Sequence, residues 1–191
     1  MIASAAPTQA QSYEVTDLGV VAGDNQSLGQ GLNALGQATG ISSVASNPSS
    51  GIATLFKNGQ ALSLGALVPS DESFGSAISD SGEIAGYDYL STSQSASHAF
   101  IYSNGKMTDI HSDALFPYGS DALGVNDTGT AVGYGRPDLH AFLYSNGKMV
   151  DLGTFGGNNS LALAINNSGQ VVGWSVTSAG ATHAFLYSNG K

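Results

Sequence analysis

The sequence predicts an all-β protein, a four-bladed β-propeller, and three observations carry this prediction. One pattern recurs four times in the 191 residues, and its last landmark, an Asn-Gly pair, returns after 42 to 46 residues. The 26 glycines are about twice the usual ~7% share, which is typical of a turn-dense β protein. Each copy is predicted to hold four strands, and a repeat of this length and content is typical of one propeller blade.

The strands of each copy are predicted from side-chain periodicity and turn residues. In the last copy, residues 160–165 alternate between large and small side chains, which indicates a first strand. A turn, two strands and an Asn-Gly hairpin follow, at 166–169, 170–176, 183–187 and 189–190. The preceding copy shows the fourth strand that comes after the hairpin, at 148–153.

The first strand of each copy presents only Gly or Ala on one face. These residues are Gly29, Gly31, Gly75, Ala77, Ala122, Gly124, Ala162 and Ala164. Small residues let neighbouring backbones approach closely, as the innermost strands of propeller blades must.

The fourth copy lacks its fourth strand, and a matching segment precedes the first copy. Residues 13–19 resemble 148–153 in pattern, so we expect them to pair with 183–187 and finish the last blade. The closing strand would contain Tyr13, Val15, Asp17 and Leu18, and the closed ring would have no exposed sheet edge. We expect residues 1–11 to be a signal-peptide remnant or a disordered leader and 12–191 to be one domain. The repeats are predicted at about 20–65, 66–111, 112–153 and 154–191.

Composition excludes several classes of function. The net charge is −9 and only five residues are basic, so a nucleic-acid partner is not expected. The absence of Cys excludes disulfides, thiol catalysis and Cys-ligated zinc. No apolar run approaches the ~20 residues of a membrane helix, so no membrane insertion is expected. No cofactor is predicted.

His-Ala-Phe triplets occur at 98–100, 140–142 and 183–185, and Asn-Gly-Lys and Asp-Leu-Gly follow such triplets. This pattern resembles that of the bacterial extracellular HAF-repeat family. The first copy is degenerate, with Ile52-Ala53-Thr54 in this register, and the resemblance covers 13–191. It implies export and a setting at the cell surface or in the extracellular matrix, with the periplasm as an alternative. It implies no catalytic residues.

Ligand binding is predicted on the connections that differ between the copies, since variable loops on a rigid scaffold usually carry binding. One set of connections is 20–27, 66–73, 112–120 and 154–159, and the other is 42–51, 88–97, 135–139 and 175–182. The candidate ligand-binding residues are Asp24, Asn25, Asp71, Glu72, Asp88, Tyr89, Phe116, Tyr118, Arg136, Asp138 and Phe155. Aromatic rings beside carboxylates and amides suit a glycan or a surface protein.

No metal site is predicted. His98, His140 and His183 occupy equivalent positions on the third strands of three blades, so they are not expected to converge on one ion. We expect each to hydrogen-bond a neighbouring blade or a loop carbonyl. The turns at 80–83 and 126–129 do not fit a calcium loop, and a cation in the central channel is left open.

Three functions are weighed. The leading interpretation is an exported, non-enzymatic module that presents its variable loops to a ligand. The alternative is a filament subunit in which residues 13–19 complete the last blade of the next molecule, a head-to-tail contact that repeats. The third is a glycan-acting enzyme with Asp24, Asp71 and Asp121 in the funnel, which lacks a carboxylate partner in the fourth copy.

Four Asn-X-Ser/Thr sequons, at Asn25, Asn126, Asn158 and Asn166, are explained by the preference of Asn for turns.

Overall fold

The structure is a computed structural model that describes residues 13–45, 47–69, 72–90 and 97–191, with the backbone alone at 47–50. Within these residues fifteen strands form four antiparallel sheets, each in sequence order, and the all-β prediction is confirmed. Sheet 1 contains β1 Gln26–Leu32, β2 Ala38–Val44, β3 Asn47–Lys57 and β4 Gln60–Gly65. Sheet 2 contains β5 Glu72–Ile78, β6 Ile84–Tyr89, β7 Ser97–Ser103 and β8 Lys106–Asp109. Sheet 3 contains β9 Ser120–Val125, β10 Ala131–Gly135, β11 His140–Ser145 and β12 Lys148–Gly153. Sheet 4 contains β13 Gly156–Ile165, β14 Val171–Thr177 and β15 Thr182–Tyr187.

The predicted Asn-Gly turns are confirmed after the third strand of all four sheets, and in sheets 1 to 3 they join the third and fourth strands as hairpins. Asn58, Asn104, Asn146 and Asn189 have φ of 54°, 50°, 51° and 52°, and the glycine after each also has a positive φ. Positive φ at both central residues defines the type I′ turn, whose twist matches the flanking strands.

Residues of the first strands of all four sheets line a common cavity, which we call the channel. A cavity of about 300 Å³ is lined by Gln30 of β1, Phe74 of β5, Leu123 of β9 and Leu163 of β13. The small residues on these strands allow close packing: a Cβ on Gly31 would lie 2.9 Å from Ala77 Cα. The sequence-based expectation for this face is therefore confirmed where β1 meets β5.

Turns at one end of the channel are joined from sheet to sheet. The amide of Ala34 donates to Asp80 Oδ1 at 2.7 Å, that of Ser81 to Asp127 Oδ1 at 2.9 Å, and that of Asp127 to Asn167 Oδ1 at 3.0 Å. We call this the turn end. The opposite end, where second strands finish and first strands begin, is called the loop end.

Apolar side chains fill the spaces between the sheets. Between sheets 2 and 3 the core includes Ile101, Phe116, Phe142 and Met149. Between sheets 3 and 4 it includes Val132, Ala162 and Val171. The core therefore lies between neighbouring sheets, which fixes their side-by-side packing.

The predicted pairing of residues 13–19 with the last sheet is not formed. Sheet 4 has three strands, and the stretch 13–25 contains no strand. Tyr13 and Val15 are 83% and 97% exposed. The segment is held instead by sheet 1, where Ser27 Oγ donates to the carbonyl oxygen of Gly19 at 2.7 Å.

The turn end gives a physical reason for this difference. At each step of its hydrogen-bond ladder a side-chain oxygen of the next sheet accepts an amide. The equivalent residue of sheet 1 is Ala34, whose methyl group cannot accept a bond from sheet 4. The side-chain ladder therefore has no acceptor with which to continue from sheet 4 to sheet 1.

The described part of the chain contains no helix long and apolar enough to span a membrane.

Candidate functional site

The two ends of the channel differ in charge. All four lysines stand in or beside the Asn-Gly hairpins that follow the third strands, at Lys57, Lys106, Lys148 and Lys191. Arg136, the remaining basic residue, follows β10 at the loop end. The loop end therefore has one cationic side chain, and a carboxylate neutralises it.

That carboxylate belongs to Asp121, which is 3% exposed. Arg136 Nη2 donates to Asp121 Oδ2 at 2.8 Å, and Nη1 donates to Oδ1 at 3.2 Å. The hydroxyls of Tyr134 and Ser97 also donate to the two carboxylate oxygens. Every oxygen of the buried carboxylate is thus bonded, which is the condition for keeping a charge in the interior.

Asp121 occupies a position that is apolar in the other repeats. It pairs with Tyr134 across β9 and β10, as Phe74 pairs with Tyr87 across β5 and β6. The equivalent pairs in sheets 1 and 4 are Leu28 with Ile41 and Leu161 with Trp174. Replacing a buried ion pair by apolar side chains is often neutral or stabilising, so stability alone does not account for Asp121.

Three aromatic rings pack together on sheet 2 at the same end. Phe74 and Tyr87 are stacked, with ring centroids 5.0 Å apart and planes 13° apart. Tyr89 meets both rings edge-on, at 5.7 Å and 5.6 Å. Offset stacks and edge-on contacts are the favoured aromatic geometries, so the cluster is a rigid apolar wall. Tyr89 is 41% exposed and offers part of this wall to solvent.

The aromatic wall and the ion pair are electrostatically coupled. Burial, and then the charges of Tyr89 and Asp121, together raise the pKa of Tyr87 to about 12. Burial and the hydrogen bond to Asp121 raise the pKa of Tyr134. Both phenols are therefore protonated near neutral pH, and the hydroxyl of Tyr134 donates to Asp121. Burial also raises the pKa of Glu72 at the start of β5.

We call the residues Phe74, Tyr87, Tyr89, Asp121, Tyr134 and Arg136 the loop-end cluster. Of the predicted ligand-binding residues, it includes Tyr89 and Arg136. The predicted Glu72 begins the strand that carries Phe74 and pairs with Tyr89.

Two predicted ligand-binding residues are buried. Phe116 is 3% exposed and packs in the core, where its ring meets that of Phe142 at 6.3 Å. Asp88 is fully buried, and its Oδ2 accepts a hydrogen bond from the amide of Leu67 at 2.6 Å. Both were expected in solvent-facing loops, and both instead hold the sheets and connections together.

The other predicted ligand-binding residues that the structure describes do not meet at one place. The side chain of Asn25 accepts the Ala45 amide at 2.6 Å, and Asp24 is half-buried in the turn before β1. Tyr118 and Asp138 are exposed on sheet 3 connections. Phe155 is exposed and lines a cavity of about 290 Å³ beside β15. Asp71 lies outside the described residues.

Sequence reasoning missed Phe74, Tyr87 and Tyr134 as site residues, and it proposed Asp121 only as a catalytic carboxylate. The sequence did contain a signal. In each repeat a bulky residue follows the glycine in the middle of the second strand, and these residues are Ile41, Tyr87, Tyr134 and Trp174. Two of these four are tyrosines on neighbouring sheets. Asp121 is paired with Arg136 in the structure, so it does not have the open carboxylate that the enzyme interpretation requires.

The histidines on the third strands pair within their own sheets. Nδ1 of His98 lies 2.8 Å from Asp109 Oδ2, and Nδ1 of His140 lies 2.8 Å from Asp151 Oδ2. The expected bonds to a neighbouring blade or a loop carbonyl are therefore wrong for these two residues. His183 is exposed on β15.

His111, the remaining histidine of the chain, lies beside His98 and was not singled out from the sequence. Their ring centroids are 4.0 Å apart. His111 Nε2 lies 3.2 Å from Asp113 Oδ1, and its Nδ1 lies 2.8 Å from Ser120 Oγ. Burial, and then the neighbouring His98, lower the pKa of His111.

No protein-family model and no curated protein matches this chain. The resemblance to the HAF-repeat family therefore rests on the motif residues alone.

Proposed function

We propose that this chain is a non-enzymatic binding module, a four-bladed β-propeller whose loop-end cluster receives the ligand. The observation that carries the proposal is the buried Asp121–Arg136 pair beside three packed aromatic rings. An ion pair at a position that is apolar in three other repeats, next to an exposed tyrosine, has the character of a recognition site. Sites of this kind combine an apolar wall with a few fixed polar groups.

The ligand is proposed to be an uncharged glycan. Its apolar sugar faces would stack on Tyr89, and its hydroxyls would exchange hydrogen bonds with Tyr87, Tyr134 and Arg136. An anionic polymer fits poorly, because Asp121 already neutralises the single cation of this end and the chain carries a net charge of −9. The proposed setting is the cell surface or the extracellular matrix after export, and fractionation of the producing cells tests it.

Binding of a panel of neutral oligosaccharides, followed by saturation-transfer NMR, tests this function. Tyr89→Ala should abolish binding, while Tyr89→Phe, which keeps the ring, should retain most of it. Tyr102→Ala, on β7 near the turn end, is the control for loss of an aromatic ring elsewhere. The proposal would be overturned if two folded proteins, the Tyr89→Ala variant and the Asp121→Leu/Arg136→Met double variant, both retained binding.

A second candidate function is head-to-tail assembly, and a specific observation favours it. Gly19 ends its segment as Gly153 ends β12: its amide donates to Asp17 Oδ1 at 2.9 Å, as that of Gly153 donates to Asp151 Oδ1 at 2.7 Å. The end of segment 13–19 thus has the same hydrogen bond as the end of a fourth strand, but the segment is not paired with another strand. Sheet 4 lacks a fourth strand, so β15 of a second copy is the matching partner.

Light scattering after size exclusion separates the two candidates. A chain whose mass increases with concentration, and becomes monomeric after Thr16→Pro, would support strand donation, since proline removes a backbone donor from the pairing segment. A monomer at all concentrations, with or without Thr16→Pro, would eliminate it. The glycan experiment is independent of this outcome.

A further inference from the structure

Sheet 2 departs from the other repeats at the residue after its fourth strand. Gly65 and Gly153 end β4 and β12 with positive φ, and Gly19 is a third glycine of this kind at the end of segment 13–19. The equivalent residue after β8 is His111, whose φ is not positive. In two sheets the serine of the next first strand donates to the glycine carbonyl oxygen at 2.6 Å, from Ser73 and from Ser160. At the junction of sheets 2 and 3 the equivalent serine, Ser120 of β9, contacts the His111 ring instead.

The histidine in place of glycine at position 111 brings together three side chains of types that can ligate a metal. His98, His111 and Asp113 each offer one ligand atom, and these atoms lie within 4.8 Å of one another. Two imidazoles and one carboxylate form a donor set that suits zinc and related divalent transition ions. Three protein ligands leave a fourth tetrahedral position for water.

Both imidazoles are oriented by a second partner, as metal-bound histidines usually are. Asp109 Oδ2 accepts a hydrogen bond from the Nδ1–H group of His98, which leaves the lone pair on Nε2. Ser120 Oγ lies 2.8 Å from Nδ1 of His111 and can accept a hydrogen bond from the Nδ1–H group when Nε2 binds an ion. The side chain of His111 is 2% exposed while that of Asp113 is 88% exposed, so an ion reaches the rings from the side of Asp113.

The chain contains an internal comparison for this site. His140 and Asp151 of sheet 3 reproduce the bond between His98 and Asp109 at the same 2.8 Å distance. Gly153 follows in place of His111, so the second imidazole is missing there. Any property that depends on the pair of rings should therefore belong to sheet 2 alone.

We propose that His98, His111 and Asp113 bind one divalent transition-metal ion, zinc in the first place, with Asp109 and Ser120 as positioning residues. The site lies after the fourth strand of sheet 2, where it joins that sheet to β9 of sheet 3. The proposal is independent of the glycan function.

Titration of the chelator-treated, untagged full chain with Zn²⁺ by calorimetry, and with Co²⁺ by visible absorption, tests this site. One ion per chain and a tetrahedral Co²⁺ spectrum are expected. His111→Gly, which restores the residue of the equivalent positions, should abolish stoichiometric binding. Asp109→Asn should weaken binding by about 10- to 100-fold, as loss of such positioning carboxylates does, whereas the matched Asp151→Asn and His140→Ala should leave it unchanged.

Two results would overturn the proposal. One is wild-type protein that binds no more Zn²⁺ or Co²⁺ than His111→Gly. The other is an equal loss of affinity in Asp109→Asn and Asp151→Asn, which would indicate nonspecific binding. If His111→Gly does not fold, Asp113→Asn decides the matter, because its exposed side chain can change without disturbing the core, and undiminished affinity in that variant contradicts the site.

Discussion

The hydroxyl of Ser27 donates to the carbonyl oxygen of Gly19 at 2.7 Å, and this bond is repeated at two junctions between sheets. Ser73 and Ser160 donate in the same way to Gly65 and Gly153, both at 2.6 Å. These two serines also accept the backbone amide of an alanine on the third strand of the preceding sheet, Ala53 at 2.8 Å and Ala141 at 2.9 Å. One hydroxyl thus ties two strands of one sheet to the first strand of the next.

Substitution of Ser160 by Ala should destabilise the protein. The hydroxyl is fully buried, and its loss leaves the Ala141 amide and the Gly153 carbonyl without their partner. Each unsatisfied buried group costs about 1–3 kcal/mol. Ser27→Ala is the matched control, expected within about 0.5 kcal/mol of wild type because Ser27 is partly exposed and bonds only one of the two groups. Urea unfolding of both variants measures the difference, and equal free energies of unfolding would contradict the assigned role.

The sequence predicted what depends on neighbouring residues and failed where partners are distant. Asn-Gly turns and the small face of the first strands are local patterns, and both were confirmed. The end of segment 13–19 also has the predicted fourth-strand geometry, but its partner strand was wrong because that choice depends on how sheets 1 and 4 are placed.

Side-chain burial was harder to predict for the same reason. Phe116 was assigned to a ligand-binding loop, yet it packs where Gly135 provides space: a Cβ on that glycine would lie 2.0 Å from the phenyl ring. His111 was not considered, because its significance depends on the ring of His98, 13 residues earlier in the chain. Such contacts follow from the packing of strands and connections, which side-chain periodicity along the chain does not predict.

Gly31→Ala should destabilise the protein while Gly29→Ala, two residues earlier in β1, should not. A Cβ on Gly31 would lie 2.9 Å from Ala77 Cα and 3.1 Å from Ser76 O, so the backbone of sheet 2 would have to move. Overpacking of this kind costs about 1–3 kcal/mol. A Cβ on Gly29 meets no atom within 4 Å.

Chemical denaturation of the two glycine variants makes this comparison under identical conditions. A large loss of stability in Gly29→Ala would show that another surface covers β1 in solution. Tolerance of Gly31→Ala would contradict the close approach of β1 and β5.

Arg136→Ala should be more destabilising than removal of the whole ion pair. The single variant leaves the Asp121 carboxylate buried without its cation, a change that typically costs about 3–5 kcal/mol. The double variant Asp121→Leu/Arg136→Met restores the apolar character found at this position in the other repeats and should recover most of that loss. Asp138→Asn, at an exposed neighbouring residue, should stay within about 0.5 kcal/mol of wild type. A double variant as unstable as the single one would refute the view that stability does not require the pair.

Alkaline pH should unfold the protein through its buried tyrosines. The folded pKa of Tyr87 is raised from 10.0 to about 12, and that of Tyr134 is raised as well. Because both phenols lose their protons more readily in the unfolded chain, their contribution to stability is complete below pH 10 and is lost as the pH rises toward 12. Tyrosinate absorbance should therefore show late-titrating groups among the eight tyrosines, and Tyr87→Phe should remove one of them. Tyr118→Phe, at an exposed tyrosine, should leave the late phase intact. A single titration step near pH 10 in the folded wild-type protein would be inconsistent with burial of the loop-end cluster.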